Sequence, residues 1–146
     1  MSQALSIVHR RTRFPALVAN TPDMEEFVAD AATEAGLDPS RLLHLRLAIA
    51  EAVTNICLYA YPGDDGWVDI TVSSTADTLT VTLCDGGRPY DPLQHADPDI
   101  HASLEDRPLG GLGIFLMRRV TDALEYQRIN ECNVLTMTLY AERVES

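Results

Sequence analysis

Across residues 21–36, Met24, Phe27, Val28, Ala31, Ala32 and Ala35 recur at spacings of three and four with polar residues between them, which predicts a helix with one apolar stripe. Thr21 is its expected N-cap, Pro22 takes the first helical position, and Gly36 is a natural stop. Asp38 and Pro39 repeat the starting signal, and residues 42–60 are mostly apolar, as in a helix pressed against a sheet. The run Tyr61-Pro62-Gly63-Asp64-Asp65-Gly66 then reads as a turn. Val68, Ile70 and Val72 alternate with polar neighbours, and Leu79, Val81 and Leu83 do so again after Ala76-Asp77, which predicts an antiparallel pair. A long loop rich in Pro, Asp and His follows over 85–109, then a helix over 112–120 and two strands over 124–129 and 134–140. Residues 6–19 read as one edge strand, or two. The expected architecture is α+β: a two-layer sandwich of helices over a mixed, mostly antiparallel sheet, built as one domain over residues 1–146.

Composition narrows the function. A chain of 146 residues buries roughly 68–70% of its unfolded surface and needs no disulfide or metal to fold. Cys57, Cys84 and Cys132 are odd in number and widely spaced, so they read as buried or indifferent thiols of a reducing compartment. Arg10, Arg11 and Arg13 lie near the start without the apolar run of a signal peptide, and no stretch reads as a membrane span, so a cytoplasmic protein without membrane contact is expected. The formal charge of -11 disfavours direct nucleic-acid binding. All 11 basic residues are arginine, and a Walker-A loop requires lysine, so a nucleotide site here belongs to another class.

Three segments carry candidate chemistry. His44, Glu51 and Asn55 share one face of the second long helix, which alone could be a solvated stripe or the wall of a cleft. Cys84-Asp85-Gly86-Gly87-Arg88-Pro89 follows a strand, as an ordinary turn does. Its paired glycines would also let a planar ligand approach, and Asp85 could accept a hydrogen bond from an exocyclic amino group. Adenine offers that group; guanine presents a carbonyl, which would leave two acceptors face to face. Gly110-Gly111-Leu112-Gly113 runs into an apolar helix, as a flexible hinge would, or as a helix N-terminus open to phosphate oxygens would.

In order and spacing, Glu51-x-x-x-Asn55, Asp85-x-Gly87-x-Pro89 and Gly110-Gly111-Leu112-Gly113 resemble the N, G1 and G2 boxes of the GHKL ATPase superfamily, over residues 10–142. The short chain, the Glu-Ala-Val-Thr-Asn-Ile box and Tyr61 look most like the stand-alone anti-sigma-factor serine/threonine kinases of bacterial partner-switching systems. That resemblance implies ATP with Mg²⁺ held through the Asn55 amide, and Glu51 as general base on a protein hydroxyl. It further implies Asp85 as reader of adenine, Gly87 as clearance for the ring, and Gly110, Gly111 and Gly113 around the phosphates beneath a lid of about residues 88–109. Thr136 would place a hydroxyl near the base and Arg107 would reach the γ-phosphate, although Pro108 and Leu109 separate Arg107 from the glycines. Implied partners are a sigma factor or similar regulator and a STAS-type antagonist as phosphorylation substrate, with a homodimer as the family's assembly. The alternative is a nucleotide-dependent binding module that transfers little or no phosphate. Tyr59 stands where many relatives have histidine, His44-Leu45 is not the His-Glu phosphoacceptor of a sensor kinase, and the segment from His95 to His101 reads as solvated loop rather than metal site.

Overall fold

The structure is a computed structural model that describes residues 4–63, 65–94 and 111–141. Strand β1 (His9–Pro15) precedes two helices, α1 (Thr21–Ala35) and α2 (Pro39–Asn55), and α2 continues as a π-helix over Ile56–Ala60. Strands β2 (Trp67–Ser74) and β3 (Thr78–Asp85), helix α3 (Gly111–Val120), and strands β4 (Ala123–Ile129) and β5 (Cys132–Tyr140) complete the chain. The sheet order is β1-β2-β3-β5-β4, and all four pairings are antiparallel. The expected α+β sandwich is therefore present, with a sheet that is antiparallel throughout.

Local signals explain the helix ends. The Gly36 N–H donates to the carbonyls of Ala32 and Thr33 at φ 94°, a left-handed stop that glycine adopts at little cost. Asp38 accepts from the Ser40 N–H at 2.8 Å with Pro39 behind it, and these bonds hold its carboxyl below the ordinary range. At the start of α1 the cap is Asn20 without a side-chain bond, and Thr21 is already helical, because a short 3-10 turn at Val18–Asn20 leads the chain in. Ion pairs then tie the layers: Arg46 bridges Glu25 and Glu26 of α1, and Arg41 binds Asp122 and the Tyr140 carbonyl beside β5.

The core lies between the helices and one face of the sheet. Met24, Leu45, Ile49, Ile70, Val81, Met117, Met137 and Leu139 are fully buried there, each contributing about 1.5–3 kcal/mol of apolar burial. The helical run Pro39–Ala60 reaches a mean hydropathy of 1.3 and is long and apolar enough to cross a bilayer, contrary to the expectation that no stretch is. Its Leu45, Ala48, Ile49, Ala52 and Val53 are buried in this core, which accounts for its composition without a membrane.

Strand parity determines what reaches the site. Leu79, Val81, Leu83 and Asp85 alternate inward on β3, and Asn133, Leu135, Met137 and Leu139 do so on β5. Asp85 pairs with Asn133 in register, so the two polar residues at the strand ends meet beneath α2.

Candidate functional site

The π-helix begins directly after Asn55, where the wider turn redirects the backbone toward the loop that leaves β3. The Arg88 N–H donates to the Ala60 carbonyl at 2.9 Å, and Arg88 Nε donates to the Tyr59 carbonyl at 2.8 Å. The Tyr61 hydroxyl accepts from the Gly86 N–H at 2.7 Å and donates to the Trp67 carbonyl at 2.9 Å. A Cβ on Gly87 would lie 2.4 Å from the Ala60 carbonyl oxygen. The closeness that Gly87 permits is thus that of the π-helix, where clearance for a ligand ring was expected.

These contacts leave a small pocket between the helix and the sheet. Ala52, Asn55 and Ile56 form its roof, Leu83, Asp85, Asn133 and Leu135 its floor, and Tyr90, Pro92 and Tyr126 its side. Asp85 is 2% exposed, and its Oδ1 accepts from the Gly87 N–H and from Asn133 Nδ2, both at 2.9 Å. Among the described residues Oδ2 has no hydrogen bond, which leaves one carboxylate oxygen for a ligand. Burial raises the Asp85 pKa, while the Asn133 and Gly87 bonds and the charge of Arg128 pull the other way.

Asn55 is 5% exposed, and its Nδ2 is buried with no hydrogen-bond partner. The Glu51 carboxyl lies beside this amide, and turning the amide over would present its oxygen instead. Glu51 stands one turn earlier on α2, half-buried at the pocket's flank; burial raises its pKa and the adjacent Asn55 amide offsets this in part. His44, the third member of the expected stripe, is exposed and lines a groove with Phe115 and Arg119 of α3 instead of the Asp85 pocket.

The expected residues do not all converge. Asn55 and Asp85 line the pocket together; Glu51 is not among its lining residues but stands one turn before Asn55, and Gly113 sits in the first turn of α3 against Glu51. Thr136 belongs to the opposite parity of β5: it pairs across the sheet with Thr82 and Glu125 on the face away from the helices, which removes it from the pocket. Arg107, Gly110 and the segment from His95 to His101 lie outside the described residues. For Gly111, only its place at the start of α3 is described.

Asn133 occupies the position sought for Thr136. Its Nδ2 donates to Asp85 and to the Arg88 carbonyl at 2.8 Å, and its Oδ1 accepts from the Tyr90 N–H at 3.2 Å and the Tyr126 hydroxyl at 2.5 Å. Two donors and two acceptors fill the amide's capacity and fix its orientation. Tyr90, held this way, also packs on Tyr59 with ring centroids 5.3 Å apart. The signal was available in the strand: Leu135, Met137 and Leu139 set the inward parity, and Asn133 shares it. The cysteines carry none of this chemistry; all three are free thiols, and burial pushes that of Cys84 up to about 11.

Comparison with known proteins accords with this geometry. Residues 14–139 match the model of the histidine kinase-like ATPase domain. A serine/threonine-protein kinase, BtrW, of Bordetella bronchiseptica is 37% identical over 98 residues, covering 66% of this chain and 69% of that protein. The anti-sigma F factor of Clostridium beijerinckii is 34% identical over 101 residues, covering 67% and 71%. A serine-protein kinase, RsbW, of Bacillus cereus is 28% identical over 142 residues, covering 90% and 88%. The chain belongs to the histidine kinase-like ATPase domain family, in its group of anti-sigma factors and serine/threonine-protein kinases.

Proposed function

We propose that this chain is an ATP-dependent serine/threonine protein kinase of the cytoplasm that binds a regulatory partner such as a sigma factor and phosphorylates a STAS-type antagonist. The observation that carries the reading is one pocket lined by two buried polar groups, the Asp85 carboxylate, whose Oδ2 is unbonded among the described residues, and the Asn55 amide, with Glu51 one helical turn before Asn55. The donor set fits an adenine nucleotide. Asp85 Oδ2 accepts from an exocyclic amino group and disfavours the guanine carbonyl.

The Asn55 amide oxygen suits a hard cation that takes few protein ligands. Mg²⁺, when bound, would neutralise charge on the phosphates. Glu51 receives the proton of the acceptor's serine or threonine hydroxyl as that oxygen bonds to the transferred phosphorus and ADP departs. Half-burial supports this role, since a carboxyl with a raised pKa is a stronger base than one in water. Homodimerisation is proposed on the family's behaviour alone.

Transfer from labelled ATP to a STAS-type protein tests the reading, with wild type set against Glu51→Gln. Wild-type transfer at least about a hundredfold above the variant, in the range of general-base contributions, is the expected result. Equal, negligible transfer by both would make the chain a nucleotide-dependent binding module.

A further inference from the structure

A glycine in the first turn of a helix is ordinarily read as an open backbone N–H for phosphate oxygens. The packing of Gly113 indicates a different task. A Cβ built on it would lie 1.6 Å from Glu51 Cγ, 2.2 Å from Cδ and 2.6 Å from Cβ, all inside the 3.0 Å that real Cβ contacts keep. Of these atoms Cβ is fixed by the α2 backbone, and Cγ and Cδ could clear a methyl only by a change of rotamer that moves the carboxyl. Nor can α3 move off cheaply, because Ile114, Met117 and Val120 are buried in the core on the same and following turns.

We infer that Gly113 is a positioning residue for Glu51: its missing side chain is the notch through which the Glu51 stem passes, seating α3 on α2 and holding the carboxyl half-buried beside Asn55. The inference rests on the reading of Glu51 as the base. It assigns α3 a part in the transfer step that is separate from any hold on the phosphates. Without the notch, either α3 lifts from Glu51 or the carboxyl swings away from its place beside Asn55.

Gly113→Ala tests this with two readouts. The first is a double-mutant cycle in unfolding with Glu51→Gly, which removes the three atoms nearest the new methyl. Gly113→Ala is expected to lower the folding equilibrium constant about tenfold or more in the wild-type background, as overpacking does, and less than about twofold in the Glu51→Gly background. The second is kinetic: kcat is expected to fall at least about tenfold with KM for ATP held within about twofold, as for an interaction made in the transfer step alone. Equal destabilisation in both backgrounds would overturn the notch. A loss confined to KM and to the Kd for ATP would return Gly113 to phosphate binding. A wild type that transfers no phosphate would withdraw the base together with the kinase reading, while the stability cycle would still decide whether the contact exists.

Discussion

Replacing Asn133 removes the node on which the pocket's floor depends. Four hydrogen bonds end on this one amide, and the bond to the Asp85 carboxylate is buried. A hydrogen bond to a charged group is worth about 1.5–3 kcal/mol. The other three are part-buried, and water replaces them at a combined cost of roughly 1–2 kcal/mol. Asn133→Ala is therefore expected to destabilise the protein by about 2.5–5 kcal/mol, which at roughly 2–4 °C per kcal/mol lowers Tm by about 5–20 °C. Asn133→Asp distinguishes the specific contact from simple loss of packing. It keeps acceptors for Tyr90 and Tyr126 but sets a second carboxylate against Asp85, so the pair has to hold a proton. Its folded-state pKa then rises above the unfolded value of about 4. The penalty is fully present at neutral pH and is relieved as pH falls through the raised value. Thermal unfolding between pH 7 and pH 5 is the assay: Asn133→Asp should regain stability relative to wild type on acidification, and Asn133→Ala should not. Parallel curves for the two variants would refute the Asp85–Asn133 contact.

Thr136→Val lies on the far face of the sheet and is expected to leave ATP affinity within about twofold, as surface changes do; a calorimetric titration showing a larger loss would put the hydroxyl back in the site. Gly87→Ala forces a methyl against the Ala60 carbonyl and is expected to cost about 1–3 kcal/mol, visible as a lower urea midpoint with unchanged slope. Asp69 accepts from Arg13 at 2.6 and 2.9 Å and from Arg11 at 3.2 Å, and these partners lower its pKa. Its stabilisation is present above the unfolded carboxylate value and is lost as pH falls through the depressed one. The Tm gap between wild type and Asp69→Asn should accordingly close in strong acid.

Much of this fold was legible because local and global signals agree. Pro22, Gly36, Asp38 and Pro39 punctuate two helices whose apolar residues already indicate the buried side, and Val68 to Leu83 alternate as half-buried strands do. Glu51, Asn55 and Asp85 were singled out because the order and spacing of their segments resemble the boxes of the family; each segment alone reads equally as a solvated face or an ordinary turn. Thr136 was misplaced for the opposite reason: residue type was weighed above strand parity, and a shift of one residue changes the face. The π-helix after Asn55 left no comparable trace. Residues 56–60 are as apolar as the helix before them, and the wider turn is set by tertiary contacts of Ala60 and Tyr61 with the loop after Asp85. Likewise the notch at Gly113 depends on how α3 crosses α2, which periodicity within either helix does not report.

Calorimetric titration with ATP and GTP, each with and without Mg²⁺, on wild type and Asp85→Asn addresses the central claim directly. The account predicts ATP binding strengthened by Mg²⁺, no comparable binding of GTP, and loss of ATP binding in Asp85→Asn. Equal affinity for the two nucleotides, or ATP binding unaffected by Asp85→Asn, would contradict an adenine site at this pocket.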